Sequence, residues 1–183
     1  MDLRVKKTLK NIKDSFYQLR KRKPIEKISV KELSEMAIIN KATFYLHYRD
    51  VYDLSDKLKN ELVAEIIDDV RQYDLSRGKS EFRLFAENLC RSIIAHTEEI
   101  KTLYSDLDDN SDIDANEFFY RLEDSVKEYI FRRFPNIPHT SEINIIFTLF
   151  IQGSSHVLLR NSTTDPELLI STTTLLFMRL IDV

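Results

Sequence analysis

Apolar residues recur along this chain at helical rather than strand spacing. Val5, Leu9, Ile12, Phe16 and Leu19 fall four, three, four and three residues apart, forming one stripe of an amphipathic helix. The run Arg20-Lys21-Arg22-Lys23 and then Pro24 bring that helix to an end. A second helix opens at Ser29, with Glu32 three residues on at capping-box spacing, and its inward stripe is Val30, Leu33 and Ala37. Asn40 is a further N-cap and predicts a short helix from Lys41 to about Arg49. Asp50 caps a fourth, which Leu54, Leu58, Leu62 and Ile66 carry to near Tyr73.

The segment 76–80 breaks the pattern, and periodicity resumes with Phe82, Phe85, Leu89 and Ile93. A helical stretch from Thr97 to about Ser105 leads into an acidic connection, Asp106 to Asn116. Phe118, Leu122, Val126 and Tyr129 mark a helix that ends before Pro135. Between Ser141 and Arg160 apolar residues occur on nearly all sides, and Asp165-Pro166 opens a last helix rich in Leu and Ile. No strand or internal repeat is evident, so the predicted fold class is all-α, a three-helix N-terminal module followed by a larger helical body.

Composition narrows the chemistry. With two Gly and four Pro in 183 residues, the chain has too few turn formers for a many-stranded sandwich, and no glycine-rich loop to cradle a nucleotide. Cys90 stands alone, which excludes an intramolecular disulfide and a cysteine zinc site. No N-terminal apolar segment resembles a signal peptide, so the expected compartment is the cytoplasm. The uncharged stretch Ile143 to Leu159 contains Asn144, Thr148, Gln152, Ser154, Ser155 and His156, and reads as a buried helix rather than a membrane span.

Charge divides the chain. The total of −3 hides 15 Lys plus Arg against 8 Asp plus Glu through Asn60, and 12 against 22 beyond it. A module of net +7 therefore precedes a body of net −10. That asymmetry points to a polyanion docked by the first part only.

The positive part contains the spacing of a helix-turn-helix, whose second helix enters the DNA major groove. Within it, Lys41-Ala42-Thr43-Phe44-Tyr45-Leu46-His47-Tyr48 followed by Arg49-Asp50 resembles the recognition-helix signature of the TetR family of bacterial regulators. The resemblance covers about the first 60 residues. It implies a DNA-binding domain at 1–60 and a helical effector-binding and dimerisation domain at 61–183. Ser29, Asn40, Lys41, Thr43, Tyr45 and His47 are the expected DNA contacts, with Tyr45 and His47 matching family positions that hold the DNA backbone. Independently, Lys41 can reach a base edge or phosphate, and Thr43 offers a hydroxyl and a methyl group. Phe44 and Tyr48 are expected to face the module's own core. One departure is that Val51 stands where the family usually places a phosphate-binding Lys; Lys57 is a candidate substitute.

The resemblance further implies homodimerisation through the last two helices, about 141–182, and control by a small-molecule effector. His96, Tyr104 and His156 are candidate polar anchors for that effector in a body crowded with aromatic residues. The connection 106–117 places oxygen-bearing residues at the spacing of an EF-hand loop. Ser111 occupies the position that requires Gly, and no second loop pairs with it, so calcium is not expected there. No metal or other cofactor is expected. The four His, at 47, 96, 139 and 156, form no i, i+4 metal pair, and no nucleophile motif is present, so the chain is not expected to be an enzyme. The expected function is a homodimeric transcriptional regulator, a repressor of a palindromic operator under effector control. The alternative keeps the DNA-binding fold and replaces the small molecule by a protein partner.

Overall fold

The structure, a computed structural model, describes residues 3–104, 115–161 and 163–181. Among them are the α-helices α1 (Leu3–Arg20), α2 (Val30–Met36), α3 (Lys41–Tyr45), α4 (Val51–Val70), α5 (Lys79–Ala95), α6 (Thr97–Tyr104), α7 (Ala115–Arg133), α8 (Ser141–Arg160) and α9 (Pro166–Ile181). No strand occurs among the described residues. Most of the acidic connection considered for calcium lies outside them.

The chain divides into two compact units. The first holds the described residues through Glu61 together with 99–104, and the second holds Leu62–Glu98 and the described residues from Ala115 onward. In the first unit α1 packs on α2 and α2 on α3. Ile12, Phe16 and Leu19 of the α1 stripe are buried with Leu33, Ala37, Phe44, Tyr48, Leu54 and Leu58. In residues 99–104 Ile100, Leu103 and Tyr104 are buried, and the Lys59 ammonium lies 4.7 Å from the centre of the Tyr104 ring.

In the second unit α8 packs against α5, α7 and α9, and α5 against α9. Phe150 stacks on Phe177 with ring centroids 4.0 Å apart, which joins α8 to α9 at the centre of their contact. Thr140 caps α8 by accepting from the Ile143 amide at 3.2 Å, and Asp165 accepts from Glu167 at the start of α9. Between α7 and α8, the Glu123 carboxylate is only 8% exposed and accepts from Lys127, Thr148 and Gln152. Burial pushes its pKa upward, but these three donors outweigh it and hold the carboxyl below its usual range. Cys90 is fully buried beside Thr173, and burial raises its thiol to about 11, which makes it a core residue rather than a reactive one.

α8 is less covered than its all-round apolar sequence suggests. By length and composition it could cross a membrane, with only 39% of its most apolar window buried. Its inner face carries Phe147, Phe150, Ile151, Ser154, Ser155, Leu158 and Leu159 against the rest of the unit. Its outer face leaves Ile145 and Leu149 more than half exposed, and α9 leaves Leu168, Leu175, Leu176 and Leu180 open to solvent.

Candidate nucleic-acid interface

The reading segment is built from two capped helices and a tight turn. Ser29 Oγ accepts from the Glu32 amide at 3.2 Å, so the α2 cap forms. The reciprocal half of the expected capping box does not: the Glu32 carboxylate is taken by the Lys23 ammonium at 2.5 Å, an ion pair that outcompetes a backbone N–H. α2 ends in a Schellman arrangement, with the Ile38 amide donating to Glu35 O and the Ile39 amide to Ser34 O. Such a turn needs a left-handed residue, usually Gly; here Ile38 adopts φ 57° and is 88% exposed.

Asn40 then caps α3. Its Oδ1 accepts from the Thr43 amide at 2.8 Å and from the Thr43 hydroxyl at 3.1 Å. The Thr43 amide and the Thr43 hydroxyl hydrogen are thus both engaged inside the module, while the hydroxyl oxygen keeps its lone pairs as acceptors. α3 is also shorter than the predicted 41–49. It stops at Tyr45: the Leu46 amide still makes an α-helical bond to Ala42 O, but the His47 amide tightens onto Phe44 O, three residues back. The tightening brings Tyr48 into the core, where its ring lies 5.5 Å from that of Phe44. Phe44 and Tyr48 are 0% and 7% exposed, as the resemblance implies.

With those two rings turned inward, the opposite side of the segment presents Lys41, Ala42, Tyr45 and Leu46 to solvent, and His47 is half-buried beside them. Tyr45, Leu46 and His47, with Arg49, Asp53 and Lys57, line a shallow hollow of about 320 Å³. Two basic residues of the run at 20–23 are withdrawn from the surface: Arg20 is buried and donates to Lys23 O, and Lys23 pairs with Glu32. Lys21 and Arg22 remain exposed.

The corner after α3 contains a feature that the motif does not show. Asp50 caps α4 through the Asp53 amide at 2.8 Å. The Asp53 carboxylate accepts from the Arg49 amide at 2.9 Å, from the Arg49 guanidinium at 3.3 Å and from Lys57 at 3.1 Å. The Arg49 amide first, then Lys57, hold the Asp53 carboxyl below its usual range. Lys57 also donates to His47 O at 2.9 Å and lies 5.0 Å from the Tyr48 ring centre. Val51, at the family's Lys position, is buried. The sequence signal for this cluster is the i, i+4 spacing of Arg49, Asp53 and Lys57.

The three candidate effector residues are not assembled into one site within either unit. Tyr104 is buried in the first unit under Lys59. In the second unit, His96 is half-buried at the C-cap of α5, and His156 is exposed on α8, its ring 6.1 Å from that of Phe119. An open depression of about 520 Å³ in this unit is lined by Lys127, Glu128, Phe131, Arg132, His139 and Asn144, and includes neither histidine.

No family model and no curated protein sequence matches the chain. Solved structures do. A structure described as the fatty acid degradation regulator FadR from Bacillus halodurans is similar with a TM-score of 0.61 at 13% identity, covering 93% of this chain and 94% of that one. The TetR family repressor AlkX from Dietzia sp. strain DQ12-45-1b, implicated in biodegradation of n-alkanes, is similar with a TM-score of 0.59 at 12% identity, covering 94% and 97%. A TetR-family transcriptional regulator from Haemophilus influenzae, HI0893, is similar with a TM-score of 0.60 at 13% identity, covering 98% of both chains. Along nearly its whole length, therefore, this chain has the fold of the TetR-family transcriptional regulators.

Proposed function

We propose that the chain is a transcriptional repressor that binds a palindromic operator as a homodimer and is released from it by a small-molecule effector. The observation that carries this reading is the construction of α3. Asn40 fixes its start, and buried Phe44 and Tyr48 fix its rotation, so that Lys41, Ala42, Tyr45 and Leu46 face outward from a module of net positive charge. Lys41 and the Thr43 methyl would meet base edges, while Tyr45, His47, Ser29 and Asn40 would meet the sugar–phosphate backbone.

The dimer reading rests on the outward leucines and isoleucine of α8 and α9. A four-helix arrangement about a twofold axis would bury Ile145, Leu149, Leu175, Leu176 and Leu180 from both copies. His156 shares that outer face of α8, which suits a subunit contact better than an enclosed effector site; His96 is the retained candidate for effector contact. Control would act by linkage, because two reading helices must lie about 34–36 Å apart to enter successive major grooves. An effector favouring another spacing must lower DNA affinity.

The test is the double variant Tyr45→Ala/His47→Ala, assayed by fluorescence anisotropy on a duplex enriched by the wild-type chain from a random pool. Binding should fall at least tenfold while the helical circular dichroism is unchanged. A double variant that binds like wild type would remove the site assignment.

A further inference from the structure

The side chains that fix the corner after α3 come from α4, and they grip the two peptide groups on either side of Tyr48. Lys57 Nζ takes the His47 carbonyl at 2.9 Å, and Asp53 takes the Arg49 amide at 2.9 Å. The two are tied to each other at 3.1 Å, so the corner sits in a closed bracket. A lysine ammonium has three N–H donors. Here it has the His47 carbonyl, the Asp53 carboxylate and the face of the Tyr48 ring as its surroundings. Asp53 is held as tightly, since its side chain is 10% exposed and receives both Arg49 and Lys57.

Resting on the DNA-binding reading above, we propose that Lys57 and Asp53 are positioning residues for DNA recognition. They pre-set the 46–49 corner, and with it the attitude of Tyr45 and His47, without touching DNA themselves. Lys57 is therefore not a replacement for the phosphate-binding Lys absent at Val51. Although its side chain is 48% exposed, its ammonium is engaged by the His47 carbonyl and the Asp53 carboxylate. The bracket matters because α3 has only five residues and ends in a turn, so helix propensity alone cannot hold its last side chains in one geometry. Groups fixed before binding avoid an ordering cost on association.

This assignment differs in sign from simple electrostatics. Removing the Asp53 charge would strengthen attraction to a polyanion if only net charge mattered; loss of the bracket weakens binding instead. It also differs in salt response. A Lys that neutralises a phosphate contributes about 0.9 to the slope of log K against log salt, or about 1.8 for two subunits. A Lys that acts only within the protein contributes nothing to that slope.

The experiment compares Lys57→Met, Lys57→Arg, Asp53→Asn and the Lys57→Met/Asp53→Asn double variant in the full chain. DNA binding is measured across a salt series on the same selected duplex, and amide hydrogen exchange is measured without DNA. Lys57→Met and Asp53→Asn should each lose about tenfold in affinity with an unchanged salt slope. Lys57→Arg should recover most of the loss, and the double variant should be no worse than either single variant. In free protein, exchange at 47–49 should accelerate at least tenfold, with buried α4 amides unaffected. Tighter binding by Asp53→Asn, a reduced salt slope for Lys57→Met, or unchanged exchange at 47–49 would overturn the bracket. If exchange accelerates as expected but Tyr45→Ala/His47→Ala binds like wild type, the DNA-binding reading has failed and the positioning role falls with it.

Discussion

Replacing Ile38 by Gly should stabilise this protein, although it removes four carbons from a chain of ordinary packing. The backbone at Ile38 has φ 57°, a conformation that brings a β-branched side chain against its own carbonyl. The cost for an L-residue is about 1–2 kcal/mol, and branching places Ile near the upper end. Against that gain, Gly makes the unfolded chain more flexible, worth about 0.4–1 kcal/mol. Lost burial is small because the side chain is 88% exposed. One-eighth of the roughly 1.5–3 kcal/mol for a fully buried Ile is about 0.3 kcal/mol. The balance is a net stabilisation of about 1 kcal/mol, or roughly two to four degrees in melting temperature for a chain of this size. Urea denaturation followed by circular dichroism would read it, with Ile39→Gly as the internal comparison. Ile39 is half-buried and is not among the residues of positive φ, so its glycine variant should lose about 1–2 kcal/mol. Opposite signs at adjacent positions are the signature of local strain. Equal destabilisation at both would refute it, and would show that the exposed Ile38 side chain contributes more than its contacts account for.

Two further outcomes follow from the second unit. Glu123→Ala should cost about 2–3 kcal/mol at pH 7, since it leaves the half-buried Lys127, Thr148 and Gln152 without their acceptor. Because the Glu123 pKa is lowered on folding, its contribution is present above the unfolded carboxyl value of about 4.3 and is lost as pH falls through the folded one. The deficit of the variant should therefore shrink between pH 7 and pH 3 in parallel urea titrations, and a deficit constant with pH would contradict the charge argument. Leu149→Glu/Leu176→Glu should convert a dimer to a monomer in sedimentation equilibrium with the helical spectrum intact, since both side chains are already more than half exposed. A double variant sedimenting with the wild-type mass would show that the outer face of α8 and α9 is not the subunit contact.

The helices of this fold are legible in the sequence because long amphipathic stripes and strong caps agree with one another. Asp165-Pro166 before α9 fixes a start that the structure reproduces, and α8 spans the Ser141 to Arg160 stretch read from its apolar residues. What escapes is decided by competition. The end of α3 is not readable, since Tyr45 to Tyr48 continue a plausible helix until Tyr48 is drawn toward Phe44. Glu32 has the right spacing for a reciprocal cap, but Lys23, nine residues earlier, takes its carboxylate. The left-handed turn at Ile38 carries none of the Gly or Asn that would announce it. Residues 99–104 group with the N-terminal module, where Lys59 lies over the Tyr104 ring, a pairing across 45 residues that local periodicity does not encode. Of the candidate interface, the signature shows which side chains face outward. It does not show that the Thr43 hydroxyl donates to Asn40, or that the Lys57 ammonium is engaged by His47 O and Asp53.

Whether the segment 40–49 reads DNA in a twofold-symmetric assembly is decided by selecting duplexes from a random pool with the wild-type chain. Enrichment of a palindrome whose half-sites lie about one helical turn, or a multiple of it, apart is expected. Enrichment of no sequence, or of sequences without twofold symmetry, would contradict it.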